Sequence, residues 1–133
     1  MKQSVDAYRA LCEEEASIPL FSQAWWLDAT AGDGNWHVVL IKSGDEIVAS
    51  LPYAKKKRFG FVSIGQPALT QTLGPWLRQA DERMAIRLAV EKNWMNGLID
   101  GLPKFHRYSQ NWSPQVKNWL PFFWRNFQQT TRY

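Results

Sequence analysis

A chain of 133 residues, 45% apolar and 21% charged, is the size and composition of one globular domain rather than of a disordered segment. One cysteine and two histidines exclude an internal disulfide framework and leave too few ligands for a usual structural zinc site. Sixteen Lys and Arg against twelve Asp and Glu give a net charge of +4, which permits an anionic partner without demanding one.

The N-terminus runs Met1-Lys2-Gln3-Ser4-Val5-Asp6, with no apolar core of a signal peptide. No stretch approaches the roughly 18 to 20 apolar residues of a membrane span, so a cytoplasmic setting is expected. Ser4 suits a helix N-cap, with Val5, Tyr8, Leu11 and Cys12 on one face as far as about Glu15. Cys12 is expected to be a small buried residue, and the three glutamates after it would raise its thiol pKa. Residues 17–20 break the helix. Ser22 is the next N-cap candidate, with Phe21 and Trp26 spaced as a hydrophobic staple. That short helix ends in the Gly32-Asp33-Gly34 turn.

Residues 36–41 form a buried strand in this reading, and Ser43-Gly44-Asp45 a hairpin turn. Residues 46–53 alternate, with Ile47, Ala49, Leu51 and Tyr53 on one face, and Pro52 suggests an edge, a bulge or a strand end. The run Lys55-Lys56-Lys57-Arg58 is expected to make the second turn before a third strand at 59–64. Residues 65–75 form an ordered loop. Asp81 and Glu82 mark a helix start, Met84, Leu88, Met95, Leu98 and Ile99 its apolar side, and Gly101-Leu102-Pro103 its stop. A strand at 105–112, a short helix from Ser113-Pro114, an aromatic cluster at 119–127 and a β-like segment at 128–133 complete the order. The fold class expected is mixed α/β, with helices packed on a largely antiparallel sheet, in one domain spanning 1–133.

Catalytic motifs are scarce. There is no Gly-x-Ser-x-Gly, no phosphate-binding Gly-rich loop and no Cys–His pair placed for catalysis. His37 lies in an apolar strand and is expected to be half-buried, and His106 to be exposed. The basic run at 55–58 could meet phosphates, but a nucleic-acid module would show more basic residues clustered with exposed aromatics, so a solvated turn is the simpler reading. The loop at 65–76 gathers Gln66, Thr70, Gln71 and Thr72 beside Trp76, groups that suit amides and hydroxyls or that satisfy the loop's own backbone.

Four segments carry a resemblance. They are Ile18-Pro19-Leu20-Phe21-Ser22-Gln23-Ala24-Trp25-Trp26-Leu27-Asp28, Ser50-Leu51-Pro52-Tyr53, Leu69-Thr70-Gln71-Thr72-Leu73-Gly74-Pro75-Trp76, and Leu120-Pro121-Phe122-Phe123-Trp124-Arg125 with Gln128-Gln129-Thr130-Thr131-Arg132-Tyr133. Together they resemble the N-terminal half of bacterial FemAB-like proteins of the GNAT acyltransferase superfamily. The resemblance implies a GNAT-like domain that is one half of a tandem protein. It also implies transfer of an acyl group from acyl-CoA or aminoacyl-tRNA to an amine-bearing small molecule or peptide. The donor site in such tandems belongs chiefly to the C-terminal domain. The family's donor turn, Arg/Gln-x-x-Gly-x-Gly/Ala before a helix, would fall at 74–82 here, where Pro75 lacks an amide hydrogen and only one glycine stands. Asp81 and Glu82 would also repel phosphate there.

The resemblance therefore implies a non-donor domain that binds no cofactor of its own and helps form the acceptor cleft. Its candidate contacts are Tyr53, Gln66, Thr70, Gln71, Thr72 and Trp76. Trp119, Phe122, Phe123, Trp124 and Phe127 would face the C-terminal domain or drive self-association. Two rival readings stand beside it. One is an aromatic-rich glycan- or peptide-binding module, suggested by eight tryptophans. The other is a self-contained small acetyltransferase with Glu46 or a histidine as base. Trp25, Trp26, Trp36 and Trp94 are expected in the core, and Trp76 at a cleft.

Overall fold

A computed structural model describes residues 2–32, 34–67, 69–70, 72–78 and 84–112. Helix α1 (Lys2–Glu14) turns Tyr8 and Leu11 into the core, with Val5 and Cys12 packed at its margin. It ends where Ser17 Oγ donates to Glu15 Oε1 at 2.9 Å and Pro19 opens a 3-10 turn, Leu20–Ser22. Helix α2 (Ala24–Thr30) follows, with Gln23 as its N-cap. Ser22, the N-cap expected from sequence, is instead buried in the 3-10 turn, where its carbonyl accepts the Tyr8 hydroxyl at 2.5 Å. The Phe21–Trp26 contact survives that shift, the rings meeting edge-on at 5.0 Å. Gly32, at φ 96°, closes the helix in a conformation that favours glycine.

The expected three-stranded antiparallel meander is present: β1 (Trp36–Ser43), β2 (Glu46–Arg58) and β3 (Phe61–Gly65). β2 runs further than expected. The basic residues 55–58 belong to β2 and pair with β3, and the turn is Phe59-Gly60, both at positive φ. Both faces of this part of the strand are in water, so it carries no apolar alternation to mark it as a strand. A two-residue strand, β4 (Trp76–Leu77), pairs with Ser50 and Ala49 of β2. Helix α3 (Met84–Gly101) then crosses to β5 (Arg107–Tyr108), which lies parallel to β3. The strand expected over 105–112 shrinks to those two residues. The chain beyond stays tied to its neighbours: Ser109 N–H donates to Ile64 O at 2.8 Å, and Leu73 N–H to Asn111 O at 2.7 Å. Expectations for residues 113–133 lie outside the described residues.

Pro52 sits in the middle of β2, opposite Val38 of β1, and not at a strand end. On its other side β2 pairs with β4 at Ala49 and Ser50 and with β3 from Ala54 onward, which leaves Pro52 facing a gap. A missing amide hydrogen there costs no ladder bond. Gln110 fills the gap, its Nε2 donating to Pro52 O at 2.9 Å and Gly65 O at 3.3 Å.

The sheet separates two cores. Tyr8, Leu27, Trp36, Val38, Leu73 and Trp76 pack beneath α1 and α2. Val39, Leu51, Tyr53, Ile64, Met95 and Leu98 pack with α3. Alternate residues of β1 enter alternate cores, as the strand period requires. The domain is thus a mixed α/β layer structure with an antiparallel-dominated sheet, as expected from sequence. No described helix is long and apolar enough to cross a membrane.

Candidate functional site

The loop after β3 holds the residues that sequence singled out, and they serve different ends. Gln66 bridges the loop: its Nε2 donates to Thr70 O at 2.6 Å, and its Oε1 accepts from Asn111 N–H at 2.8 Å. Thr70 is buried, its Oγ1 accepting from Trp26 Nε1 at 3.0 Å, which fastens α2 to the loop. Thr72 is half-buried, and Gln71 lies outside the described residues. Trp76 is 7% exposed, in the core under α1, with its Nε1 donating to Ser17 Oγ at 3.1 Å. It does not face a cleft. Tyr53 is 3% exposed in the other core, and burial raises its hydroxyl pKa. Gln66 and Thr70 are therefore brought together, while Tyr53 and Trp76 lie in different cores. The bonds of Gln66 and Thr70 go to the protein itself.

Gly74 is the single glycine at the place where the donor turn of the resembled family would fall. It is buried, and a side chain placed on it would come within 2.6 Å of the Trp112 indole. Its open side is filled by that ring. β4 follows at once, hydrogen-bonded to β2, with Arg78 N–H extending the pairing to Val48 O at 2.8 Å.

An open cleft of about 560 Å³ lies between α1 and the β1–β2 hairpin, lined in part by Glu14, Asp45, Glu46 and Arg78. Arg78 links its walls, with ion pairs to Glu15 at 2.8 Å and Glu46 at 2.7 Å. The guanidinium lies 5.3 Å from the Trp76 ring centroid. Hydrogen bonds from Ser17, reinforced by Arg78, lower the Glu15 pKa. Among the described residues Glu14 and Asp45 have no ion-pair partner. Acidic residues at the C-terminal end of a helix oppose its macrodipole, so the charge at the end of α1 is held against a local cost. Glu46, a candidate base from sequence, shares this cleft with Glu14. Thirty-one residues separate Glu14 from Asp45, and only the packing of α1 on β1 brings them together.

The remaining nucleophilic and basic side chains are quiet. Cys12 is half-buried, and burial raises its thiol pKa despite several lowering contacts, so a thiolate is disfavoured at neutral pH. His37 is half-buried and tilts against Tyr53 at 5.7 Å. Desolvation and then Lys55 lower its pKa. His106 is exposed, and its Nδ1 accepts from Val62 N–H at 2.9 Å. Among the described residues no group of three or more His, Cys, Asp or Glu could hold a metal ion.

No family model matches the chain, and no curated protein matches it. Among solved structures it is similar to an aminoglycoside acetyltransferase from an uncultured soil metagenomic sample. The complex with sisomicin aligns at 15% identity and a TM-score of 0.38, covering 99% of this chain and 84% of that one. The complex with trehalose aligns at 13% identity with the same TM-score and coverage.

Proposed function

We propose that this chain is a GNAT-like, non-donor domain of a FemAB-like N-acyltransferase, and that it holds the amine acceptor rather than the acyl donor. The observation that carries the non-donor reading is Gly74 covered by Trp112. A backbone turn that cradles pyrophosphate needs free amides and an open approach. Here Pro75 supplies no amide hydrogen and the indole occupies the approach. The α3 crossover between parallel β3 and β5 supports the acyltransferase-like fold.

The acceptor side is the acid-lined cleft. A protonated amine suits Glu14 and Asp45, whose charges are uncompensated by any described ion pair. The loop at 65–76 does not line this cleft, and Gln66 and Thr70 are engaged in bonds within the protein. The aromatic residues at 119–127 are the proposed contact to a C-terminal domain that supplies the donor.

Calorimetry of this chain with acetyl-CoA is expected to show no micromolar binding, and micromolar binding overturns the non-donor reading. A diamine such as 1,4-diaminobutane is expected to bind. Glu14→Gln and Asp45→Asn are each expected to weaken it about fivefold, the order of one screened charge pair. Unchanged affinity in both variants removes the cleft from the proposal.

A further inference from the structure

The turn between β2 and β3 is built against local preference. Arg58 and Phe61 are cross-strand partners, so the loop holds only Phe59 and Gly60, at φ 52° and 80°. Positive φ at both positions is the pattern of a type I′ turn, which favours Asn, Asp or Gly at the first position. A bulky side chain there costs about 1–2 kcal/mol. Phe59 recovers little of this by packing. It is 96% exposed, and the Arg58 guanidinium lies 5.5 Å from its ring centroid. Phe61, just beyond, is 50% exposed.

Cations surround this apex. Residues 55–58 are exposed and alternate between the two faces of β2, so positive charge rings the stem of the hairpin. The register adds Arg107: Lys56 pairs with Ser63, and Ser63 with Arg107, placing three strands in one row. Residues 47–80, which include the whole hairpin apex and stem, contain no Asp or Glu. The acids of the cleft lie at the other end of β2, a 13-residue strand about 40 Å long.

We infer that the β2–β3 hairpin docks the domain on an anionic lipid surface, with Phe59 inserted at the headgroup–acyl boundary and the basic stem among the headgroups. An apolar apex with cations on both faces of its stem fits a plane entered end-on. A nucleic-acid strand would track one face and stack on aromatics laid flat along it. The strain at Phe59 fits a side chain placed for a partner outside the fold. The separation of charge along β2 would orient the molecule, with the cleft turned away from the surface.

Vesicle co-sedimentation of the full chain tests this, using phosphatidylcholine alone and phosphatidylcholine with 30 mol% phosphatidylglycerol. Binding is expected only to the anionic vesicles, and is expected to weaken with added salt. Lys56→Gln should weaken it about fivefold, from the worth of one basic residue near such a surface. Phe59→Asn should weaken it about tenfold through lost apolar burial, while its thermal melt stays the same or rises because Asn suits the turn. Lys42→Gln, an exposed lysine at the acidic end of the sheet, should leave binding unchanged. Equal binding to neutral vesicles, equal loss with Lys42→Gln, or full binding by Phe59→Asn overturns the proposal. So does binding of a single-stranded RNA by the same hairpin without vesicle binding.

Discussion

Arg9, Asp28 and Trp36 join three elements that the sequence separates. Both Arg9 amino groups donate to the Asp28 carboxylate, one at 2.9 Å from Nη2 to Oδ1, and Trp36 Nε1 donates to Oδ1 at 2.9 Å. The Arg9 guanidinium also lies 5.4 Å from the Trp36 ring centroid. α1, α2 and β1 are thereby tied on one face of the sheet. Arg9 hydrogen bonding lowers the Asp28 pKa, reinforced by Trp36 and opposed by desolvation. A carboxylate with a lowered folded pKa adds stability above its unfolded value, and loses it as pH falls through the folded one. Asp28→Asn is therefore expected to cost about 1–2 kcal/mol at pH 7. That is the lower part of the range for charged hydrogen bonds, since Arg9 and Asp28 are 32% and 30% exposed. Urea melts at pH 7 check the magnitude. The difference between variant and wild type should shrink once the pH falls below the ordinary aspartate range; a constant difference down to pH 2 means that the charge is not the source.

The seating of α3 on the sheet explains two of its glycines. A side chain on Gly97 would meet Ile41 Cδ1 at 2.9 Å, and one on Gly101 would meet Val39 Cγ1 at 2.4 Å. The glycines lie one helical turn apart and let α3 approach β1 closely. Ile41 offers the end of a flexible side chain, whereas Val39 is β-branched and stiff. Gly97→Ala should change stability by less than about 1 kcal/mol, since better helix propensity offsets a small shift of Ile41. Gly101→Ala should destabilise by about 1–3 kcal/mol through overpacking, read from the same denaturant midpoint. A stabilised Gly101→Ala would show that α3 has room to move away from Val39. Helix periodicity made α3 legible and turn residues made the β1–β2 hairpin legible. A glycine needed for close packing looks the same in sequence as one that breaks a helix. The role of Gln110 was hidden likewise: its bond to Pro52 spans 58 residues and depends on where β3 and β4 leave β2 uncovered.

Across the whole molecule, the tryptophans show what sequence pattern conveys and what it withholds. Trp36 falls on a buried strand and is 1% exposed, as its apolar neighbours suggest. Trp25 was expected in the core with it, yet is 59% exposed. Ala24 and Leu27 supply the buried side of a helix only seven residues long, and Trp25 lies on the other side. Trp76 beside a polar loop looked cleft-facing, but β4 turns it under α1. Adjacent letters do not reveal which side of a short element faces the core; packing decides it. The indoles also separate an aromatic binding face from a set of large core side chains. Trp36 and Trp76 are buried, Trp26, Trp94 and Trp112 are half-buried, and Trp25 is the exposed member of the described six. Iodide quenching tests this through difference spectra. The emission lost in Trp25→Phe should come from a readily quenched indole, and that lost in Trp36→Phe from one iodide barely reaches. Shielding of Trp25 in the native chain would mean that its face is already covered, through self-association or by residues 113–133. Light scattering at the same concentration separates these two causes, since only the first raises the mass.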